Sequence, residues 1–359
     1  MRRLGDAPSG DESESKVRTF CSRAISESIE LRIVSRVMPR SILIPARGLH
    51  WALMTLPGLV YHADWSKSAR KRWRAMAILS DGRYTASEPV RVGDLKQLLE
   101  SLRSQSGSTG TVFAGFDFPI GVPAHYAEQA KISNFRKFLS ELSADDEFFQ
   151  VCDTPKELKI SRPFYPNRSV RGCTHKHLLN AHRALDMASL LRLCEVGGDG
   201  RRQACCLFWT LGANAVGKAA ITGWKEVLNP ALKRDSVRIW PFDGAVKDLL
   251  KTGNTVIAET YPAECYGWFP GNPLTSKTDI ESRKSFGKNL LLWANESQVG
   301  VDSNLQGALE DGFATGGDDA FDAVVGLFGM LQVCLAQRDS GDPEDAEIRD
   351  IEGWILGRK

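Results

Sequence analysis

Five acids stand where the chain pattern changes: Asp64, Asp117, Glu259, Asp319 and Asp322. Asp64, Asp117 and Glu259 each close a short apolar run, and Asp322 lies one turn into a long apolar helical pattern opening at Asp318. Open α/β sheets gather ligands beyond the carboxyl ends of their strands, so acids placed there can converge. Carboxylates are hard oxygen donors, the ligand type of Mg²⁺ and Mn²⁺. Two such ions about 3.5–4 Å apart activate water and steady the leaving oxygen of an in-line phosphodiester displacement. The expected catalytic set is therefore Asp64, Asp117, Glu259 and Asp322, with Asp319 joining them as a metal ligand. Without a cation, acids this close raise one another's pKa. Plainer roles compete: Asp318 as a helix N-cap, Asp319 as a first-turn acid favoured by the helix dipole, Asp117 as a brace for the Phe118-Pro119 turn.

Other residues carry weaker signals. Lys67, Arg70, Lys71, Arg72 and Arg74 crowd the segment after Asp64, which reads either as a solvated hairpin tip or as a phosphate-gripping edge. Gly212 to Ala219 nearly fits the phosphate-binding loop pattern, but Ala219 replaces the Ser or Thr that would hold Mg²⁺. Lys71, Arg72 and Lys218 are the expected substrate contacts. Cys173, His175, His177 and His182 match no zinc-finger spacing, and His62 and His125 lie near the acids as candidate proton shuttles.

The elements that must position these groups begin after Met54. Gly58–Trp65 and Arg72–Leu79 read as strands, and Ser80-Asp81-Gly82-Arg83 as a tight hairpin turn leading to a third strand over Tyr84–Val92. Asp94–Ser104 has helical periodicity, and Thr111–Phe116 is a buried strand. Three strands, a helix and a strand returning parallel to the first form the opening of a ribonuclease-H-like α/β fold. That fold is expected to be a mixed sheet flanked by helices: a three-strand meander plus parallel strands, with a large helical insertion over about 124–235. Within the insertion, helices are expected over 124–143, 177–196 and 216–232. Further strands are expected at 237–239 and 255–258, with helices over 245–251, 280–296, 303–312 and 318–337. Residues 1–53 read either as a flexible basic arm or as an extension upstream of a start at Met54. Residues 54–338 are the expected domain, and 339–359 an acidic tail whose Trp354-Ile355-Leu356 packs down.

HADWS (62–66), GFDFPIGVP (115–123), LGANAVGKAAITGW (211–224), WPFDG (240–244), ETYPAE (259–264) and DDAFDA (318–323) together resemble the domain of unknown function 429 family. The resemblance spans about residues 56–338. It implies a ribonuclease-H-like nuclease in which Asp64, Asp117, Glu259 and Asp322 occupy the acidic positions, with Asp319 as the first acid of the Asp-x-x-Asp pair. Trp65 departs from the family pattern, being bulky where a small residue would leave room for substrate.

Composition bounds these expectations. The chain has 359 residues, 42% hydrophobic and 25% charged, enough for a large core and unlike a disordered polymer. A net charge of +2 lacks the basic excess of a bulk nucleic-acid binder, though a local basic face suffices. Eight cysteines at irregular spacing, without a Cys-x-x-Cys pair, suit reduced thiols in a cytoplasmic protein. No apolar stretch suits a membrane span or secretory signal. The reading is a Mg²⁺- or Mn²⁺-dependent nuclease acting on nucleic acid, DNA and RNA both open. A nucleotide-binding phosphotransferase and a non-catalytic scaffold of the same fold are its rivals.

Overall fold

A computed structural model describes residues 55–359 except 170, 199–202 and 213–214; the readings for 1–53 and Met54 lie outside them. The chain enters the sheet at β1 (Leu59–Asp64), buried from Leu59 to Ala63. It turns back through β2 (Trp73–Ser80), and Asp81 and Gly82, both at positive φ, make the tight turn into β3 (Arg83–Ala86). The expected third strand over 84–92 is split, because Pro89 has no amide hydrogen to continue the ladder. Its second half, β4 (Val90–Arg91), pairs with β2 as β3 does, one residue out of register. Helix α1 (Leu98–Gln105) buries Leu98, Leu99 and Leu102 and crosses to β5 (Val112–Phe116), which runs parallel to β1.

The segment after β5 is less helical than its composition suggested. The expected helix over 124–143 breaks into α2 (Ala124–Ala130) and α3 (Phe135–Glu141), because Lys131 turns left-handed and Asn134 caps the second piece. Likewise α4 (His175–His182) stops at Arg183, also left-handed, and short turns replace the rest of the expected 177–196 helix. A nearly continuous run follows, from α5 (Gly217–Gly223) through a widened turn at Trp224–Leu228 into α6 (Asn229–Ala231).

His182 closes α4 fully buried between Tyr126 and Phe208, its Nε2 3.2 Å from the Pro163 carbonyl. Burial pushes its pKa down to about 4, outweighing the Pro163 carbonyl, which favours the charged ring. The unfolded histidine titrates near 6.5, so this contribution to stability is complete above that pH and is lost as pH falls toward 4. At pH 4 the loss is about 3 kcal/mol. Urea midpoints at pH 7 and 4.5 should show it, and His182→Gln should shrink the difference without abolishing it, because burial pushes His62 down to about 4 as well; an equal difference in the variant would remove His182 as a cause.

The chain then adds β6 (Val237–Ile239), α7 (Val246–Leu249) and β7 (Thr255–Glu259), followed by α8 (Pro262–Cys265), α9 (Ile280–Glu296), β8 (Gly300–Val301) and α10 (Ser303–Asp311). The sheet order is β6-β7-β5-β1-β2-β3-β8, parallel from β6 through β1, with β2 antiparallel to both β1 and β3. The edge strand β8 had no counterpart in the expected pattern. The last helix, α11 (Gly317–Cys334), is buried at every residue from Ala320 to Cys334. A helix apolar all round belongs at the centre of a layer, and α11 lies against β1 and β2. Its close approach to β1 depends on Gly326, whose added Cβ would fall 2.2 Å from the His62 ring.

Two apolar layers result, one on each side of the sheet. Leu59, Tyr61, Ala63, Ala114 and Phe116 face α1 and the 124–235 segment, whereas Val60, Phe113, Val256 and Ala258 face α9 and α11. Residues 339–359 are no solvated tail, for Ile348, Ile351, Ile355 and Leu356 are buried. Glu352 accepts hydrogen bonds from the Ala124 and Leu193 amides, at 3.0 and 2.7 Å. Among the described residues, no helix is long and apolar enough to cross a membrane.

Candidate active site

Successive residues of a strand face opposite sides, which decides which acids meet. Ala63 pairs with Phe116, and the Asp117 amide donates to the Ala63 carbonyl at 3.0 Å. The next residue of each strand, Asp64 and Asp117, therefore turns to the α11 side. Asp322 reaches the same place from α11, one residue before Ala323, whose carbonyl contacts His62 Nδ1 at 2.9 Å. Two neighbouring strand ends and one helix thus bring three carboxylates together.

Their mutual influence is strong. Burial first, then the charges of Asp117, Asp322 and Asp319, pushes Asp64 up to about 9. Burial, then Asp322, pushes Asp117 up to about 8, with Lys277 opposing. Burial raises Asp322 as well, despite help from Lys277 and Tyr266. Asp319 stands at the margin: burial and Asp318 raise it, while Lys71, Lys277 and Arg91 pull it down. Asp318 is not the helix cap. Gly316 takes that position at positive φ, and Asp318 lies inside the first turn, 4.0 Å from Lys277 Nζ.

Two residues not foreseen complete the site. The Tyr266 hydroxyl donates to Asp322 Oδ1, and Lys277 Nζ lies 2.5 Å from Asp322 Oδ2. Burial works against the Lys277 charge, but Asp322 and then Asp64 and Asp318 outweigh it, so the ammonium is held firmly protonated. No periodicity marks either residue, since Tyr266 opens a short helical turn that continues α8 and Lys277 falls in a turn before α9.

Glu259 does not join this set. It pairs with Phe116 in the β5–β7 register and so faces the other side of the sheet. There its two oxygens accept from Arg192 Nη1 and Nη2 at 2.7 and 2.6 Å, and the Ile120 amide adds a bond of 2.6 Å. Held by buried Arg192 on the opposite face of the sheet, Glu259 lies apart from Asp64, Asp117 and Asp322 and does not fill the metal and catalytic role expected for it. The same alternation turns Trp65 away from the acids, toward Phe116 and Phe118, so its bulk leaves the acidic side clear.

Arg72 is likewise a structural residue. It is 2% exposed, its guanidinium lies 4.0 Å from the Trp65 ring centroid, and it bonds the Ser66 carbonyl and Glu226 at 2.6 and 2.5 Å. Arg72→Ala is expected to lower stability by about 2–4 kcal/mol while leaving oligonucleotide affinity unchanged. A binding defect in a variant that melts normally would restore it as a substrate contact. Lys218 donates to the Asn167 carbonyl at 2.6 Å and lies beside Lys67; Ala213 and Asn214 of the glycine-rich segment fall outside the described residues. Lys71 is exposed beside Asp319. His62 is sealed under α11, and His125 bonds the His182 carbonyl, so neither is placed to shuttle a proton.

The donors that meet are hard carboxylate oxygens, the type that suits Mg²⁺ or Mn²⁺. Among the described residues, no three His, Cys, Asp or Glu side chains converge closely enough to hold a metal ion as they stand. The positive charge amid the acids comes from Lys277. Comparison with protein-family models, with curated proteins and with solved structures returned no match for this chain.

Proposed function

We propose that this chain is a divalent-metal-dependent phosphodiesterase of ribonuclease-H-like architecture, acting on nucleic acid at Asp64, Asp117 and Asp322. The observation that carries the reading is the meeting of three carboxylates from two strand ends and a helix, Asp322 buried and Asp64 and Asp117 half-buried, where Asp322 helps to raise the pKa of both others. Such a group is costly unless a cation is drawn to it. The meander β1-β2-β3 followed by parallel β5 and β7 supports the architecture.

Asp64, Asp117 and Asp322 would hold Mg²⁺ or Mn²⁺, with Asp319 at the margin. A bound divalent cation supplies Lewis acidity toward a phosphoryl group. The chain's own residues do the rest. Tyr266 fixes the rotamer of Asp322 through its hydroxyl, and Lys71 and Arg91 place positive charge at the rim where a phosphate backbone approaches.

Thermal melts with and without Mn²⁺ test the proposal, since binding to the folded state alone adds about 2.7 kcal/mol at a hundredfold excess over Kd. Wild type should be stabilised and should cleave a labelled oligonucleotide, and Asp64→Asn should do neither. No stabilisation of wild type at millimolar Mn²⁺ would end the metal reading. Tight ATP binding without cleavage would put the phosphotransferase in its place.

A further inference from the structure

We propose that Lys277 is a tethered counter-ion that holds the acidic site closed and must leave before a divalent cation enters. The inference rests on the metal reading above and adds a regulation of that same site.

The ammonium is seated where an incoming cation would be drawn. Nζ lies 2.5 Å from Asp322 Oδ2 and 4.0 Å from Asp318 Oδ2, and its charge acts on Asp64 and Asp117 as well. The side chain is nonetheless 46% exposed, so water is open to it when it swings out. The backbone carrying it is fixed. Arg283, itself buried, donates to the Lys277 carbonyl at 2.7 Å and to the Gly312 carbonyl at 2.7 Å. Ser282 Oγ accepts from the Thr275 and Ser276 amides at 3.1 and 3.0 Å, and Asp279 caps α9 two residues beyond Lys277. A flexible cationic arm on an anchored base returns to one place.

The anchoring separates this arrangement from a chance surface ion pair. A lone exposed pair contributes little and chooses its partner loosely. Here one partner is 5% exposed and lies among other acids, so the ammonium offsets the charge of a group rather than of one carboxylate. A doubly charged ion offsets more of that charge and displaces the arm. Occupancy by Lys277 and by the metal are then mutually exclusive, which is a negative coupling between two ligands of one site.

The test measures Mn²⁺ affinity directly, by calorimetry on wild type, Lys277→Met and Lys277→Arg. Removing the arm should tighten binding by on the order of tenfold, whereas Lys277→Arg, which keeps the charge, should stay near wild type. A second readout needs no variant: acylation of Lys277 by a small amine-reactive ester, followed by mass spectrometry, should quicken when Mn²⁺ is added. Unchanged or weaker Mn²⁺ binding in Lys277→Met, or acylation indifferent to metal, overturns the counter-ion while leaving the metal site standing. Binding in neither wild type nor Lys277→Met overturns the metal reading, and this inference with it.

Discussion

Arg192→Met should lower the unfolding free energy by about 3–5 kcal/mol, read as a fall in urea midpoint. Arg192 is 1% exposed and forks onto Glu259, while its Nε bonds Glu195 Oε1 at 3.0 Å. Its Nη1 also reaches the Ile120 and Glu352 carbonyls, at 3.4 and 3.2 Å. Removing the guanidinium leaves two buried carboxylates facing each other without a cation, and that desolvated charge is the main cost. Arg192→Lys should rescue little, because a single ammonium cannot satisfy a bidentate partner and Glu195 together. Adding Glu259→Gln to Arg192→Met should recover part of the loss, since neighbours in one network are not additive. Glu259→Gln alone should leave Mn²⁺ affinity unchanged, as the residue faces the other side of the sheet. A loss under about 1 kcal/mol in Arg192→Met would show that the network relaxes or fills with water.

Asp322→Asn should have the opposite profile. Asparagine can still accept from Tyr266, and Lys277, being half-exposed, can turn to solvent, so the fold should hold. Metal-stimulated cleavage should fall by at least about 100-fold, because a neutral amide replaces the carboxylate on which the site is centred. Full activity in this variant would exclude Asp322 as a ligand. The pair of experiments separates two kinds of buried acid that look alike in sequence: one on the Arg192 side that serves architecture, one on the α11 side that serves chemistry.

Much of the sheet was legible because its signals are local. Alternation marked β2, Asp81-Gly82 marked the hairpin, and continuous apolar runs marked β1, β5 and β7. The long helices α9 and α11 lie where helices were expected, over 280–296 and 318–337. The breaks at Lys131 and Arg183 left no trace, since a left-handed residue that is not glycine carries no sequence mark. The acidic set was largely visible, but Glu259 was grouped with the others for ending a strand. Its position in the strand, not its place at the end, governs its direction: Ile257 and Glu259 share a face with Phe116, and Asp117 does not. Lys277 and Tyr266 were beyond reach because tertiary packing alone brings a short turn after α8 and the turn before α9 onto Asp322. In 339–359 the packing of Ile355 and Leu356 was expected, but the acidic composition hid Ile348, Ile351 and Glu352, which are also spent inside the protein.

The bond from Arg192 to the Glu352 carbonyl bears on the order of assembly. A nascent chain that has emerged only through α11 has its sheet and acidic centre, yet the 192–195 turn still lacks the acceptors that Glu352 brings. The insertion is expected to stay loosely docked, and open to proteases, until residue 352 has left the ribosome. Glu352 therefore acts as a latch across the insertion, joining its first helix to the 192–195 turn.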